Sequence, residues 1–324
     1  MVFAIVESEQ QQRRRGAVVR RWLPWLVAIA ILAVIAGRIP FAAFRGAIAH
    51  GPHVVLATVD LAVTAAVLGT DSLATWIGLI ALRLRRPLGH VLAVRGATNV
   101  LMLLNYALGQ GAFGYYLHRT GVRPLRAVGA TLFLMGTNLA TLLLVTAVAW
   151  AIHPVDAGAT LWWTLVIGCG GFAGYLGVIA WAPRFLAGRE ALAPLFDAGL
   201  RGHLVAVAGR IPHAVAIVLG IWVAMRAWDI PVPFVTGVAM MPVVVIASVL
   251  PIAPAGLGTT QAAFVYFYAA YAPGATADER AASVLAFSIV HFVYAWLASI
   301  LIGLVCAPFA RRATAAASAA PSAG

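Results

Sequence analysis

The sequence predicts an all-α membrane protein: a polytopic helix bundle with about six full spans and two re-entrant hairpins that enter from opposite faces. Composition is the first reason. Of 324 residues, 63% are hydrophobic and 10% are charged, whereas soluble domains are about half apolar and a quarter charged. Apolar runs of about 20 residues, the length that crosses a bilayer, recur along the chain. The basic residues are all arginine, and they cluster between these runs.

Six apolar runs predict full spans, and they cover residues 22–37, 54–82, 125–152, 160–182, 203–225 and 283–308. The arginines before the first run resemble a signal peptide. However, Arg38 and Pro40 interrupt the expected cleavage region, so we favour an uncleaved span. Two more apolar regions, 88–118 and 233–271, contain glycine and proline breaks. The segment 38–53 mixes basic and apolar residues and is predicted to lie along the membrane interface.

Arginine placement predicts the topology, because short cytoplasmic loops are enriched in basic residues. If 88–118 crossed the membrane, six arginines between Arg119 and Arg201 would lie outside. If it enters and returns to the same side, they all stay in the cytoplasm. Region 233–271 must then enter and leave by the outer face. We expect a bacterial inner-membrane protein with both termini in the cytoplasm, comprising a basic tail (1–21), one transmembrane domain (22–310) and a disordered tail (311–324).

The segment 249–264, VLPIAPAGLGTTQAAF, breaks an apolar region where it should be buried in the membrane. A helix over 259–271 would rise about 20 Å, short of the roughly 30 Å hydrocarbon core. Irregular backbone at that depth is tolerated only inside protein or against a wet cavity. Interrupted apolar segments in the two halves of a chain are typical of transport sites. The break at 108–114, LGQGAFG, is the counterpart in the first half.

These two interrupted segments resemble the signatures of the lysylphosphatidylglycerol synthase/flippase membrane-domain family. Its Pro-x-x-Pro-Gly-Gly-Leu-Gly-x-x-Glu pattern is matched by Pro251, Pro254, Gly256, Leu257 and Gly258. Its other signature, in NYALGQGAFGYYLHRTGV, is matched by Asn105, Leu108, Arg119 and Gly121. The span pattern fits along most of the chain. The resemblance implies a flippase-like helix bundle, here without the soluble synthase domain that some members carry.

The chain departs from the family pattern at its charged positions. Ala255 and Gln261 stand where the second signature has glycine and glutamate, and the first signature's Gly-Glu-x-x-Arg has no counterpart. We expect Gly256 and Gly258 to let the backbone turn and a ligand approach closely. Thr259 or Thr260 would cap the short helix, whose first amides would bind an anion. Gln261 would shift the preference from cationic toward anionic or zwitterionic headgroups.

Polar residues inside apolar spans are costly and therefore candidates for function. Arg95, Thr98, Asn99 and Tyr106 share one helical face, as do His203, Arg210 and His213. Each stripe could pack against other helices or line a cavity; we favour a cavity for Arg210. We take Asp60 as the one acidic residue well inside a span and expect it to pair with Arg210 or Arg95. That pair could be structural or proton-coupling, and His291 could be a core or a titrating histidine.

The favoured function is lipid translocation, in which arginines in a groove between the hairpins bind a phosphate-bearing headgroup. The predicted substrate path consists of Arg95, Asn99, Asn105, Gln110, Arg210, His213, Pro251, Pro254, Gly256, Gly258, Thr259, Thr260, Gln261 and His291. A non-catalytic scaffold subunit is the alternative, and a lipid-linked transferase is a weaker one. No catalytic carboxylate pair, metal-ligand spacing, cofactor or nucleotide motif is found. Expected partners are membrane lipids, with a second copy of the chain or a membrane enzyme as further candidates, and no nucleic acid.

Overall fold

The computed structural model of the protein describes residues 40–104, 106–152, 158–249 and 256–319, together with residues 33, 34, 37 and 154. The helices of this part are α1 (Phe41–Ala49), α2 (His53–Ala81), α3 (Leu88–Leu104), α4 (Tyr106–Arg119), α5 (Pro124–Ile152), α6 (Gly158–Trp181), α7 (Arg184–Ala187), α8 (Ala193–Ala227), α9 (Phe234–Val249), α10 (Thr259–Tyr268) and α11 (Ala277–Ala319). A 3-10 turn, Ala269–Tyr271, follows α10. No strand occurs within these ranges, so the all-α class is confirmed.

Five helices in the described ranges are long and apolar enough to cross a membrane: α2, α5, α6, α8 and α11. They correspond to five of the six predicted spans, and the protein is therefore an integral membrane protein with several spanning helices. The first predicted span, 22–37, lies almost entirely outside the described residues. Large apolar side chains such as Ile167 (68% exposed) and Leu304 (68% exposed) cover the outside of these helices, as expected of surfaces that face lipid.

Glycines hold the long helices close together. Along the antiparallel pair α2 and α8, a β-carbon on Gly220 would lie 2.3 Å from Val63, and one on Gly209 would lie 2.8 Å from Ile77. Along α3 and α11, a β-carbon on Gly303 would lie 2.3 Å from Val100. Such close approach is how transmembrane helices gain packing energy when lipid and side chains are equally apolar.

Helices α3 and α4 fold back on each other as a helical hairpin, which we call hairpin 1. The predicted break at 108–114 is wrong: α3 ends at Leu104, α4 begins at Tyr106, and residues 108–114 are helical within α4. Gly109 lets the two limbs pack closely, since an added β-carbon there would lie 2.9 Å from the backbone nitrogen of Met102. At the base of the hairpin, the Arg86 guanidinium donates to the Thr120 carbonyl over 2.7 Å and to the Thr120 hydroxyl. Because residues 86 and 120 meet, the two ends of the segment lie at the same end of the bundle. Tyr106 thus belongs to the returning limb, and its place on a continuous helix face with Arg95 is a wrong prediction.

Helices α9 and α10 form a second hairpin, hairpin 2. Near its tip the Thr259 hydroxyl donates to the Ala247 carbonyl over 3.3 Å, and farther down the Tyr268 hydroxyl lies 3.8 Å from the Met241 sulfur. Gly256 (φ 68°) makes the turn, and a β-carbon there would lie 2.7 Å from the Ser248 carbonyl. The predicted break is therefore a real turn between two short helices, although residues 250–255 are outside the described part.

One predicted boundary differs from the structure. Helix α11 continues to Ala319, so residues 311–319 of the predicted disordered tail are helical. The segment is alanine-rich and extends an existing helix, which removes the cost of nucleation. The predicted interfacial segment contains the short helix α1, which has no buried residue.

Candidate functional site: a charged cavity inside the bundle

A cavity of about 330 Å³ lies between hairpin 1, hairpin 2 and the long helices α2, α5, α8 and α11. Helix α2 lines it with one continuous stripe, because its cavity residues recur at helical spacing. These residues are Asp60, Val63, Thr64, Val67, Leu68 and Asp71. Along α2 the stripe runs between Leu56, in one buried apolar core, and Leu79, in another. Along α2, the cavity with its two aspartates thus lies between two apolar cores.

Asp71 is the centre of a buried charged cluster at one end of the stripe. Its Oδ2 accepts from Arg95 Nε over 2.6 Å, and its Oδ1 accepts from Arg210 Nη1 over 3.3 Å. His213 Nε2 lies 3.8 Å from the same Oδ1. We call Asp71, Arg95, Arg210 and His213 the charged cluster. All four are buried, and the two arginines are each 3% exposed.

Uncharged side chains hold the two arginines in place. Arg95 Nη1 donates to the side-chain oxygen Oε1 of Gln110 in hairpin 1 over 3.2 Å, and its guanidinium lies 5.4 Å from the Phe113 ring centre. Arg210 Nη1 donates to Asn138 Oδ1 over 3.3 Å. The Nε of Arg210 is buried with no hydrogen-bond partner. The cluster therefore keeps one strong donor unused.

The charges of the cluster do not cancel. Two guanidinium groups face one carboxylate, so the cluster carries one net positive charge even when His213 is neutral. A buried charge without a counter-charge costs several kcal/mol. An anion in the cavity would lower this cost, and guanidinium groups bind phosphate and carboxylate oxygens in matching geometry. The arrangement favours an anionic group as ligand.

A second polar contact lies farther along the stripe. Asp60, 1% exposed, places Oδ1 2.8 Å from His291 Nδ1. The expected pairing of Asp60 with Arg210 or Arg95 is wrong, since both arginines bind Asp71. The geometry of α2 explains this. Asp71 lies on the same helix face as Asp60, about three turns farther along, and there it meets the arginines of α3 and α8. The cavity also carries the hydrogen bond from Asn99 to the Ser299 hydroxyl, 3.1 Å long.

The predicted site residues divide into three groups. Arg95, Asn99, His213 and His291 line the cavity, and Gln110 and Arg210 bond to its charged lining. Asn105, Pro251 and Pro254 lie outside the described residues. The described members of the second signature, Gly256, Gly258, Thr259, Thr260 and Gln261, are not part of the cavity lining. His203, which shares the predicted face with Arg210, instead bonds to the Tyr175 hydroxyl over 2.6 Å.

The start of α10 is satisfied by its own residues. Gln261, 1% exposed, accepts the Gly258 amide proton on Oε1 over 2.7 Å. Thr259 donates to backbone carbonyls and does not cap the helix, and Thr260 has no hydrogen-bond partner. The prediction that a threonine caps this helix is therefore wrong. Gln261 therefore caps the start of this helix, since its side-chain oxygen accepts the amide proton of the N-cap residue Gly258.

Sequence reasoning missed Asp71, although it lies inside the predicted span 54–82. Asp71 follows Asp60 by eleven residues, which places both carboxylates on the same helix face at a separation of about 16 Å along the axis. That spacing is the signal that would have found it. Asn138 was missed as well, and it is a single amide inside a long apolar span.

An apolar groove of about 340 Å³ runs outside the cavity, between α4 and α5. It is bordered by Gly111, Gly114, Tyr115 and Leu132 among others, and it ends toward His118 and Pro124. Gln110 borders this groove and at the same time bonds to Arg95 in the cavity. One side chain thus borders the apolar groove and contacts the charged cluster of the cavity.

No cluster of three or more His, Cys, Asp or Glu side chains that could hold a metal ion occurs in the ranges described. No protein-family model matches the chain, and no curated protein matches it.

Proposed function

We propose that this protein moves a phospholipid, anionic or zwitterionic, between the leaflets of a bacterial inner membrane. The observation that carries the proposal is the buried cavity whose charged cluster has two arginines for one carboxylate. The phosphate of a headgroup would neutralise the excess charge, with Arg95 of the cavity lining as its direct partner and Arg210 held beside it by Asp71. This proposal agrees with the flippase-like family that the two signatures resemble.

The apolar groove supports a lipid as the ligand. A lipid in transit needs a polar place for its headgroup and an apolar place for its acyl chains. The cavity and the groove offer these two environments, and Gln110 of the groove bonds to Arg95 of the cavity lining. A small water-soluble anion would need only the cavity.

The proposed topology has six crossings and two re-entrant hairpins, with both termini in the cytoplasm. The contact between Arg86 and Thr120 supports re-entry of hairpin 1, because it joins the two ends of the segment. The contact between Tyr268 and Met241, away from the tip, supports the same for hairpin 2, because the two limbs stay together along their length. Exposed charges near the base of hairpin 1, such as Arg123, support a cytoplasmic location for that end.

The test is a lipid-movement assay in proteoliposomes that contain trace fluorescent phospholipids, with dithionite as the impermeant quencher. The wild type is expected to make inner-leaflet label reach the quencher, whereas protein-free vesicles keep it protected. Arg210→Gln should slow this movement at least tenfold, because a charge-assisted hydrogen bond is worth about 1.5–3 kcal/mol. Arg126→Gln is the matched control, since Arg126 makes a half-exposed ion pair with Asp197. Equal rates for wild type, Arg210→Gln and protein-free vesicles would overturn the proposal.

A scaffold role is the second candidate, and helix α6 is the observation that favours it. Its sequence GCGGFAGYLG carries Gly170 and Gly174 four residues apart, and β-carbons there would meet open space. This spacing allows close contact with another transmembrane helix. If the transport assay is negative, cross-linking from α6 in native membranes should identify a partner helix, whereas a monomer would exclude the scaffold role.

A further inference from the structure

The contact between Asp60 and His291 is not explained by phosphate binding, because it presents a negative group to the same cavity. Asp60 Oδ2 is buried and has no hydrogen-bond partner, while Oδ1 meets only His291 Nδ1. An ionised carboxylate with one neutral donor is expensive at membrane depth. Its second oxygen therefore favours a positive species that enters by the cavity.

The groups around Asp60 supply no such charge. On α2 the nearest titratable residues are His53, seven residues earlier, and Asp71, eleven residues later. Helix α3 contributes Arg95, and α8 contributes Arg210 and His213, but all three are directed to Asp71. Helix α9 contributes Val245 and Ser248 to the cavity, and the whole of region 233–271 contains no charged residue. Helix α11 contributes His291 and, one turn later, Tyr294.

We infer that Asp60 and His291 together form a proton-binding site that couples proton entry to movement of the lipid. This inference rests on the proposed function, but the site itself can be tested without transport. Carboxylates and histidines in contact within membrane spans are the groups from which proton relays are built. A histidine also changes its charge near physiological pH.

The step involves one proton and no change of oxidation state. Without the added proton, the carboxylate accepts from neutral His291 and the pair carries one negative charge. One proton binds at Asp60 Oδ2 or at His291 Nε2, and the pair becomes neutral overall. Its release on the other side of the membrane restores the first state. The electrostatic field at the charged cluster, in the same cavity, differs between the two states, and this difference links the proton to an anionic headgroup.

Neighbouring side chains hold the site in place. His53, the first residue of α2, places Nδ1 2.9 Å from the Tyr294 hydroxyl and Nε2 2.6 Å from the Ile48 carbonyl of α1. Tyr294 lies one helical turn from His291 on α11. The Phe287 ring stacks on the His291 ring, with centres 5.3 Å apart and planes 12° apart, which fixes the direction of its nitrogens. The imidazole of His291 is thus oriented toward Asp60 before a proton arrives.

A sodium ion fits this position less well than a proton. Cations of that kind bind several oxygen ligands at once. Within the described residues, Asp60 Oδ2 is the one carboxylate oxygen of the cavity that lacks a partner, and His291 covers the other oxygen. A proton needs only one of the free positions.

The direct test is infrared difference spectroscopy of the purified full chain in lipid nanodiscs, between acidic and neutral pH. The wild type should show carboxyl or imidazole bands that vanish in Asp60→Asn and change in His291→Gln. Asp278→Asn, at the exposed start of α11, is the matched control and should leave them in place. Wild-type bands in both site variants would overturn the inference. The same band changes on adding sodium chloride at constant pH would overturn it in favour of a metal cation.

The coupling is tested by the steady distribution of fluorescent phospholipid between leaflets in proteoliposomes with a pH difference of one unit. One coupled proton can maintain up to about a tenfold ratio across that gradient. The wild type should move toward that ratio, whereas Asp60→Asn and His291→Gln should give a ratio near one. If both variants respond as the wild type does, the coupling is overturned. If the wild type moves no lipid at all, the proposed function fails, while the infrared result alone decides the proton site.

Discussion

The two hairpins share a shape and differ in what holds them. Hairpin 1 is fastened by charge: Arg86 binds Thr120 at its base, and Arg95 reaches from α3 to Asp71 and Gln110. Hairpin 2 contains no charged residue. It is fastened by backbone contacts at Gly256 and by the buried aromatic residue Tyr268.

This difference separates two uses of a broken helix in a membrane. In hairpin 1, the break brings Gln110 back beside Arg95, so the returning limb completes the charged lining of a cavity. In hairpin 2, a backbone amide freed by the turn is hydrogen-bonded inside the hairpin, because Gln261 accepts the Gly258 amide proton. Glycine marks the turn of hairpin 2, whereas hairpin 1 turns where α3 ends at Leu104 and α4 begins at Tyr106, with no glycine or proline between them. Polar partners on neighbouring helices decide whether a turn faces a site.

Site-directed labelling gives the largest expected effect, because accessibility changes from none to complete. In a chain with Cys169 and Cys306 replaced by alanine, a cysteine at Gly121, near the base of hairpin 1, should react with an impermeant thiol reagent only after permeabilisation. A cysteine at Ala275, near the base of hairpin 2, should react in intact cells. Labelling of both positions from outside would show that the two hairpins do not enter from opposite faces.

Removal of Asp71 should have the next largest effect. Asp71→Ala leaves Arg95 and Arg210 buried without a counter-charge, and breaking one side of a buried ion pair costs about 3–5 kcal/mol. We expect a large loss of folded protein, measured by thermal unfolding in detergent. The double variant Asp71→Ala/Arg95→Leu should recover part of this loss, because it removes one of the uncompensated charges. If the single variant unfolded at the wild-type temperature, the ion pair between Asp71 and Arg95 would not stabilise hairpin 1.

A smaller effect distinguishes the two buried glutamines. Gln110→Leu removes an acceptor from a charged donor, Arg95, which costs about 1.5–3 kcal/mol. Gln261→Leu removes a helix-capping contact, which costs about 1 kcal/mol. Both losses are measurable by unfolding in detergent, but only Gln110→Leu should also slow lipid movement. If lipid movement were slowed in Gln261→Leu and not in Gln110→Leu, hairpin 2 rather than hairpin 1 would contribute to the site.

Much of the fold follows from the sequence because the bilayer imposes it. Five predicted spans match described helices to within about ten residues at their ends, since span length is set by membrane thickness. The turn at Gly256 and Gly258 was readable because glycine readily adopts the positive φ that both residues have. The helical end at 311–319 was not readable, because polarity predicts solvent exposure but does not exclude the continuation of a helix.

The site was less predictable, since it depends on which helices are neighbours. Arg95, Arg210 and His213 could each be recognised as costly in a span, but their common partner could not be identified without the packing of α2 against α3 and α8. Asp60 and Asp71 occupy the same face of α2 and differ only in height. The residue types alone do not show which aspartate pairs with Arg95 and Arg210. The pairing depends on the position along α2 at which each arginine contacts it.

The charged cluster also constrains how the chain is made. An arginine at the centre of a span raises the free energy of membrane insertion by about 2.5–3.5 kcal/mol. Asp71 precedes Arg95 by 24 residues, so the carboxylate is already in the bilayer when α3 leaves the ribosome. Arg210 follows Asp71 by 139 residues, so Arg95 is made first and can bind the Asp71 carboxylate before Arg210 does. Helix α8 is therefore expected to reach its final position only after α2 and α5, which carry Asp71 and Asn138, are in the membrane.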